Sequence, residues 1–277
     1  MLSDLQGVVP IDDPHLGHHL GVWRPIPLAW AISEEDSPEL STLLDLKADE
    51  PGYFFSERFR DSWWAPLRDL IEARFEAQAR ELNGSLSATP TYVVKEPGSH
   101  AAPLLAELFP ESKLVFLLRD GRDVVDSWLD AYSEGSWAIP GGAFPVAPEG
   151  RLALIRWLSA VWVFRCRAVR QAFNSRGPDD RVLVRYEALL ADTQQCLGEI
   201  CETLGLAAEN LPKTVARHRF ESLPAAARGQ RSEARTASPG TWRESLSGEE
   251  QAAMHEVLGE TLTEFGYEPT TIAVGAF

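Results

Sequence analysis

Apolar runs of strand length recur along the chain, each followed by a polar cluster and then by a helical pattern. They lie at 91–100 (TYVVKEPGSH), 114–123 (LVFLLRDGRD) and 181–190 (RVLVRYEALL). Apolar runs without alternation are typical of strands buried on both faces, as in a parallel sheet covered by helices. The sequence therefore predicts an α/β fold, a parallel sheet flanked by helices.

Helical patterns at 63–84, 101–109 and 151–173 separate these runs. A length of 277 residues suits one α/β domain with long loops, and no internal boundary is evident, so we predict a single domain spanning 1–277. The Gly- and Pro-rich stretch at 133–150 predicts a lid over an apolar substrate. Residues 222–240 predict a linker unless an anion orders them.

The charge balance constrains the partners. With 26 Lys and Arg against 41 Asp and Glu, the net charge is -15, which argues against nucleic acid and requires individually placed cations for any anionic ligand. Cysteines and histidines form no metal-ligand pattern, so no metal is expected. No apolar run reaches the ~18 residues needed to span a membrane, and we expect a cytoplasmic protein. The oligomeric state is open, with a homodimer among the options.

Ligands of parallel α/β sheets bind outside the carboxyl ends of the strands, where Lys95, Arg119 and Tyr186 fall. In RDGRDVVDSW the strand ends at Arg119 and a helix begins near Asp123, which places Ser127 one turn further along the same face. A guanidinium and a hydroxyl suit a phosphate. Alternatively, Arg119 pairs with Asp123 and Ser127 faces solvent; the local pattern favours neither.

Longer segments resemble the sulfotransferase family that uses 3'-phosphoadenosine 5'-phosphosulfate. SKLVFLLRDGRDVVDSW is preceded by VVKEPGSH and followed, in family order, by VLVRYEALLADT, GTWRESLSGEE and EFGYEP. The resemblance extends from about residue 90 to 269, and several matches in order are fairly specific. It implies a fold related to P-loop nucleotide kinases, with the phosphosulfate nucleotide as cofactor and no metal.

The resemblance also implies roles for individual residues. Arg119 and Ser127 match the pair that binds the cofactor's 3'-phosphate, and Tyr186 matches a tyrosine near the adenine site. Arg235 matches the arginine of the family's RKGxxGxW segment, which here is RTASPGTW, with Thr236 and Ala237 in place of the lysine and first glycine. The alternatives are a tyrosine that only packs and a solvated loop arginine.

Family members begin with a strand and a phosphosulfate-binding loop of the form PxSGTTW. The sequence contains no Gly-Lys dipeptide, and its only Gly-Thr is at 240–241. The first residues, MLSDLQGVVPIDDPH, resemble instead the helix that follows that loop. We therefore expect the first strand and the P-loop to be absent, through shortening or natural loss, and turnover to be slow because the loop's cation and amides stabilise transferring charge.

Sulfuryl transfer needs a base that removes a proton from the acceptor. Counted from the shared ML, Asp13 matches the glutamate that serves as base in the protein-tyrosine branch; the alternative is a helix cap or turn at Asp-Pro. His100 is the rival, although the family spacing is closer, so it could instead cap the following helix. Lys95 is expected at the bridging oxygen of the sulfate, unless it pairs with Glu96.

Together these observations predict sulfuryl transfer from 3'-phosphoadenosine 5'-phosphosulfate to a hydroxyl, or an amine, of a small-molecule acceptor. One alternative is a non-catalytic nucleotide-binding or interaction module derived from a sulfotransferase. A small-molecule kinase is a further alternative, which the absence of a Walker-type GK[ST] sequence disfavours. Several aromatic residues suggest an apolar acceptor pocket, although large aromatics more often belong to the core: Trp63, Trp64, Tyr132, Trp137 and Phe144.

Overall fold

The computed structural model describes residues 1–12, 16, 56–83, 90–97, 99–131, 133, 136, 150–219, 222 and 238–268. Its strands are β1 (Val8–Asp12), β2 (Thr91–Lys95), β3 (Leu114–Leu118) and β4 (Arg181–Arg185). β1 pairs in parallel with β2, with Val8 opposite Thr91 and Asp12 opposite Lys95, and β3 is hydrogen-bonded to β4. The three predicted strands form at the expected places, and the α/β class is confirmed.

Helices connect and follow these strands. They are α1 (Arg60–Asn83), α2 (Ala102–Leu108), α3 (Gly121–Ala131), α4 (Arg151–Asn174), α5 (Tyr186–Ala191), α6 (Thr193–Leu204), α7 (Leu211–Arg217), α8 (Trp242–Ser245) and α9 (Gly248–Glu264). Single 3-10 turns lie at Leu2–Asp4, Glu57–Phe59, Ser99–Ala101 and Pro178–Asp180. In the described part of the chain, no helix combines the length and the apolar character that crossing a membrane requires.

The N-terminal segment is a strand where the resemblance suggested a helix. Only one 3-10 turn forms at Leu2–Asp4, and Gly7, at φ 76, turns the chain into β1. The β-branched residues Val8, Val9 and Ile11 favour an extended backbone, and a proline at position 10 opposes a helix interior. The expected helix was therefore wrong for 8–12, where pairing with β2 satisfies the backbone instead.

Burial of β3 differs from the prediction of two covered faces. Phe116 and Leu118 are buried, whereas Leu117 between them is 54% exposed. Successive strand residues point to opposite faces, so one face of β3 is packed and the other is open at Leu117. The unalternated apolar run predicted the strand correctly and the covering of its second face wrongly.

The chain divides into two compact units, each made of separate sequence segments. The first comprises 1–116, 166–183 and 194–215, and the second comprises 117–165, 184–193 and 216–277. The core of the first unit joins Ile11 of β1, Leu108 of α2 and an apolar stripe of α1. That stripe recurs every fourth residue, as a helix face requires: Trp63, Leu67, Ile71 and Phe75. A single domain over 1–277 stays a prediction.

The second unit contains the RDGRD motif, and its helix α3 packs closely on α4. A Cβ added to Gly121, the first residue of α3, would lie only 2.8 Å from the buried ring of Trp162 on α4. Only a glycine allows this approach without movement of the ring. The helix predicted to begin near Asp123 therefore begins at Gly121, and the glycine fixes where the motif enters it.

Candidate functional site in the second unit

Arg119 lies at the end of β3, and its side chain contacts the residue that follows β4. The guanidinium carbon is 4.9 Å from the centroid of the Tyr186 ring, within the range of a cation–π contact. Because each residue directly follows its strand, the carboxyl ends of β3 and β4 meet here, as predicted for Arg119 and Tyr186. Nε of Arg119 is buried and has no hydrogen-bond partner among the described residues.

The second arginine of the motif, Arg122, is fully engaged. It is 3% exposed and forms a fork with Asp120, with Nε to Oδ1 at 2.9 Å and Nη2 to Oδ2 at 2.7 Å. Its Nη1 donates to the carbonyl of Glu268 at 3.0 Å, and its guanidinium lies 4.7 Å from the ring centroid of Trp242. These contacts make Arg122 a structural residue of the motif.

Asp123 does not fasten the turn by pairing with Arg119, which was the alternative interpretation of the motif. Its carboxylate is 1% exposed and accepts the backbone N–H of Gly240, at 3.0 Å to Oδ1 and 2.8 Å to Oδ2. Burial raises the pKa of Asp123, while the Gly240 hydrogen bond and the charge of Arg119 act to lower it. Asp123 thus binds a distant loop.

Asp126, one turn further along α3, binds the same loop. Its Oδ1 accepts from the hydroxyl of Ser245 at 2.6 Å, and its Oδ2 accepts from that of Thr241 at 3.2 Å. Residues 238–246 are called the anchored segment below. They include the glycine and tryptophan of the predicted RTASPGTW match, Gly240 and Trp242. Gly240 adopts φ 91, a conformation that favours glycine.

Trp242 forms the buried centre of the anchored segment. It is 1% exposed, and two guanidinium groups lie near its ring, that of Arg122 at 4.7 Å and that of Arg243 at 4.4 Å from the ring centroid. The indole therefore packs against Arg122. Arg122 in turn pairs with Asp120, the residue after Arg119. This stacking adds to the hydrogen bonds of Asp123 and Asp126 in holding the segment against α3.

Glu187 and Tyr267 support the turn after β3 from the other side. One carboxylate oxygen of Glu187 accepts the backbone N–H of Asp120 at 2.9 Å, and the other accepts the hydroxyl of Tyr267 at 3.1 Å. Burial, followed by the charge of Glu187 and this hydrogen bond, raises the pKa of Tyr267 well above its ordinary value. Arg185 stacks on the Tyr267 ring at 4.8 Å and donates to the carbonyl of Phe265.

The remaining predicted nucleotide residues are placed less fully. Ser127 lies on α3 and is half-buried, one turn beyond Asp123, as the spacing predicted. Arg235 lies outside the described residues. Two arginines of α4 form surface ion pairs, Arg156 with Glu256 at 3.2 Å and Arg151 with Glu250, whereas the guanidinium of Arg165 lies 5.4 Å from the ring centroid of Trp128.

Lys95, a candidate catalytic residue of the first unit, is the last residue of β2 and is exposed, and the parallel register places Asp12 of β1 opposite it. Asp13, the proposed base, lies outside the described residues. Glu96 accepts the backbone N–H of Leu16 at 2.8 Å, which ties the chain just after Asp13 to the end of β2. The predicted base is therefore close in sequence to residues gathered at this strand end.

His100 lies half-buried in the 3-10 turn Ser99–Ala101. The N-cap of α2 is Ala101, without a side-chain capping hydrogen bond, so His100 is not the cap that the alternative interpretation required. Of the predicted pocket aromatics, Trp63 is 7% exposed in the core, with its indole N–H donating to the carbonyl of Ser56. Tyr132, Trp137 and Phe144 lie outside the described residues.

The sequence itself matches a known family. A family model described as the sulfotransferase family matches residues 13–210, which is more than half of the 277 residues. The chain belongs to the sulfotransferase family. Its function is accordingly that of an enzyme transferring sulfuryl groups, and the resemblance identified from the motifs is confirmed.

Solved structures similar to this sulfotransferase include two of retinol dehydratase, one titled as a complex with androsterone and inactive cofactor PAP and one with retinol and PAP. Both are 16% identical and have 82% of their length covered; the matches span 95% and 94% of this chain at TM-scores of 0.46 and 0.47. The sulfotransferase domain from the curacin biosynthetic pathway is 12% identical, with 95% and 98% coverage and a TM-score of 0.44. No curated protein matches the sequence.

Sequence reasoning missed several residues of this sulfotransferase that shape the Arg119 site. Asp120, Asp123 and Asp126 recur every third residue, a signal for one helix face that could have been noticed. The partners of Asp123 and Asp126 could not be inferred from the sequence, because they lie far along the chain. Gly240, for example, is 117 residues from Asp123. Glu187 had no comparable signal, since a single acid after a strand is ordinary.

Proposed function

We propose that this sulfotransferase takes the sulfuryl group from 3'-phosphoadenosine 5'-phosphosulfate and transfers it to a hydroxyl or an amine of a small-molecule acceptor. When bound, the nucleotide supplies the activated sulfuryl group. The side chains of the protein bind the nucleotide, orient it and handle the acceptor's proton. The observation that carries the nucleotide assignment is the buried Nε of Arg119, which has no hydrogen-bond partner among the described residues.

A cation with a buried, unsatisfied donor is unfavourable unless an anion completes it. The acids nearest in sequence to Arg119 are engaged elsewhere: Asp120 by Arg122, and Asp123 by Gly240. A phosphate would accept two parallel hydrogen bonds from the guanidinium fork. In a chain with a net charge of -15, such a placed cation is the means by which an anionic nucleotide is held.

The other nucleotide residues are proposed from their family positions. Ser127 would donate its hydroxyl to the same 3'-phosphate, and Arg235 would contact it from the segment that precedes Gly240. Tyr186 would lie beside the adenine while its ring packs against Arg119. The stacked ring also limits the orientations available to the guanidinium, which reduces the entropy lost when the phosphate binds.

Lys95, His100 and Asp13 are proposed to act on the reacting group. Lys95 would stabilise charge on the bridging oxygen of the sulfate, and either His100 or Asp13 would accept the acceptor's proton. The hydrogen bond from the Leu16 backbone, three residues after Asp13, to Glu96 favours Asp13 as the base. His100 is the other candidate, because it is half-buried and does not cap α2.

The first test is calorimetric titration with adenosine 3',5'-bisphosphate, with 5'-AMP as the matched ligand that lacks the 3'-phosphate. Tight binding that depends on the 3'-phosphate is expected. Arg119→Ala should then weaken the bisphosphate about 10- to 100-fold, the equivalent of one charge-assisted hydrogen bond, while affinity for 5'-AMP stays within about twofold. Arg119→Lys should recover only part of the loss, since an ammonium keeps the charge without the fork.

Arg151→Ala is the control for charge alone. It removes the same unit charge from the same compact unit, at a guanidinium that is 46% exposed and paired with Glu250. Nearly wild-type affinity is expected because exposed ion pairs contribute little. Equal losses in Arg119→Ala and Arg151→Ala, or no preference of the wild type for the 3'-phosphate, would refute the nucleotide site.

Turnover is measured separately from binding, by sulfuryl transfer to a panel of hydroxyl and amine acceptors. Substitution of the true base, in His100→Ala or Asp13→Asn, should lower kcat by about 100-fold or more while nucleotide affinity is kept. Binding without turnover of any acceptor would favour the non-catalytic module. ATP bound in preference to the 3'-phosphorylated nucleotide would favour the kinase.

A further inference from the structure

The anchored segment is joined to α3 by two carboxylates that have little access to solvent. Asp123 is 1% exposed and Asp126 is 3% exposed. Between them they accept from the backbone amide of Gly240 and from the hydroxyls of Thr241 and Ser245. Ionised carboxylates are costly to bury, and hydrogen bonds from several donors offset that cost. The attachment therefore lasts only while these donors stay in place.

Asp123, in the first turn of α3, stands four residues after Arg119, so the sequence alone allows the two to pair. Burial raises the pKa of Asp123, and the charge of Arg119 acts against that rise, so the guanidinium already acts on this carboxyl. Both oxygens of Asp123 accept the Gly240 amide, and this contact keeps the carboxylate from pairing with the guanidinium of Arg119. Docking of the anchored segment and availability of Arg119 thus depend on the same carboxylate.

We propose that Asp123 is a positioning residue for nucleotide binding. Its carboxylate holds the anchored segment and, through that contact, leaves Arg119 open to a phosphate. If the segment leaves, the carboxylate loses its amide donor, turns to Arg119 and closes the anion site. Asp126 acts in the same direction by retaining Thr241 and Ser245. This inference rests on the proposed function, in which Arg119 binds the 3'-phosphate.

The opposite role makes the opposite prediction. If Asp123 were only a negative charge near the anion site, its neutralisation in Asp123→Asn would strengthen phosphate binding, because repulsion is removed. If it is a positioning residue, Asp123→Asn weakens binding, because the neutral side chain keeps one acceptor oxygen in place of two and holds the Gly240 amide less strongly, which loosens the segment. The sign of the change in affinity therefore separates the two roles.

The experiment is titration of the full chain with adenosine 3',5'-bisphosphate and with 5'-AMP, in the wild type, Asp123→Asn and Asp130→Asn. Asp130 lies on the same helix, and its substitution removes the same charge without touching the four contacts to the anchored segment. Asp123→Asn should bind the bisphosphate about 10-fold more weakly or worse, and Asp130→Asn within about twofold of wild type.

Amide hydrogen exchange supplies a readout of position. In the wild type, the bisphosphate should slow exchange at Gly240 and Trp242, and in Asp123→Asn the same amides should exchange faster and respond less to the ligand. Ser245→Ala provides a milder variant should Asp123→Asn fold poorly. It removes one hydroxyl contact to Asp126, leaves every charge in place, and should give a smaller loss of affinity in the same direction.

The outcomes keep the two proposals apart. A wild type that does not prefer the 3'-phosphate overturns the proposed function, whatever the variants do. A wild type that prefers it, with unchanged or tighter binding in Asp123→Asn, overturns the positioning role alone. Weaker binding in Asp123→Asn with unaltered exchange at Gly240 and Trp242 also overturns it, because the effect would not pass through the anchored segment.

Discussion

Gly121→Ala is expected to destabilise the protein, although alanine is the better helix former. The added Cβ would lie 2.8 Å from Cδ2 and 2.9 Å from Cε2 and Cε3 of Trp162, closer than carbon atoms pack. Trp162 is 4% exposed, so its ring has little room to move. Overpacking of this kind costs about 1–3 kcal/mol, and higher helix propensity returns at most about 1 kcal/mol. The net loss should be roughly 1–2 kcal/mol.

Gly198→Ala is the matched control. Gly198 lies inside α6, and an added Cβ there would meet nothing within 4 Å, so only the propensity gain of about 0.5–1 kcal/mol remains. The two identical substitutions should therefore change stability in opposite directions. Calorimetric Tm values should separate them by several degrees, since about 1 kcal/mol corresponds to about 2–4 °C in a protein of this size. A Gly121→Ala protein as stable as wild type would show that α3 does not pack on Trp162.

Two further predictions concern hydrogen-bonded acids of the second unit. Tyr267→Phe leaves one oxygen of Glu187 without its hydrogen-bond donor and should lower the free energy of unfolding in urea by about 1–3 kcal/mol. Because the pKa of Tyr267 is raised above 10.0, its contribution to stability is present below that pH and lost as the pH rises. The difference in stability from wild type should therefore shrink in alkali. Burial alone would raise the pKa of Glu250, but hydrogen bonds from Ser247 and Arg151 lower this pKa below 4.5. The loss of stability in Glu250→Gln should therefore be complete above pH 4.5 and vanish as the pH falls. A loss that does not depend on pH would contradict the role of the ionised carboxylate.

The strands and the motif helix were predictable because their signals are local. The run of apolar residues before Arg119 and the Asp-Gly turn after it are contained within ten residues, and β3 and α3 form there. β1 was missed because the resemblance of this segment to a family helix was given more weight than its β-branched residues. The exposure of Leu117 was missed because covering of a strand face depends on elements elsewhere in the chain.

The candidate site was predictable only in part. Arg119 and Tyr186 both follow strands, and the rule that strand ends meet at one edge was enough to bring them together. Choosing between an open Arg119 and a pair with Asp123 was not possible locally, since the spacing allows both. The choice is made by Gly240, whose amide is bound by both oxygens of the carboxylate, and only the folded chain brings it there.

The two arginines of RDGRD therefore have different roles for a reason that extends beyond the motif. A guanidinium in a protein of net charge -15 has many acids that could neutralise it, so an open arginine requires that its neighbouring acids already be engaged. Arg122 engages Asp120, the anchored segment engages Asp123, and Glu187 accepts from the Asp120 amide and Tyr267. Each of these contacts removes a competitor for Arg119. In the proposed nucleotide site, the acidity of the chain thus makes the surrounding network, as well as the arginine, a requirement for binding an anion.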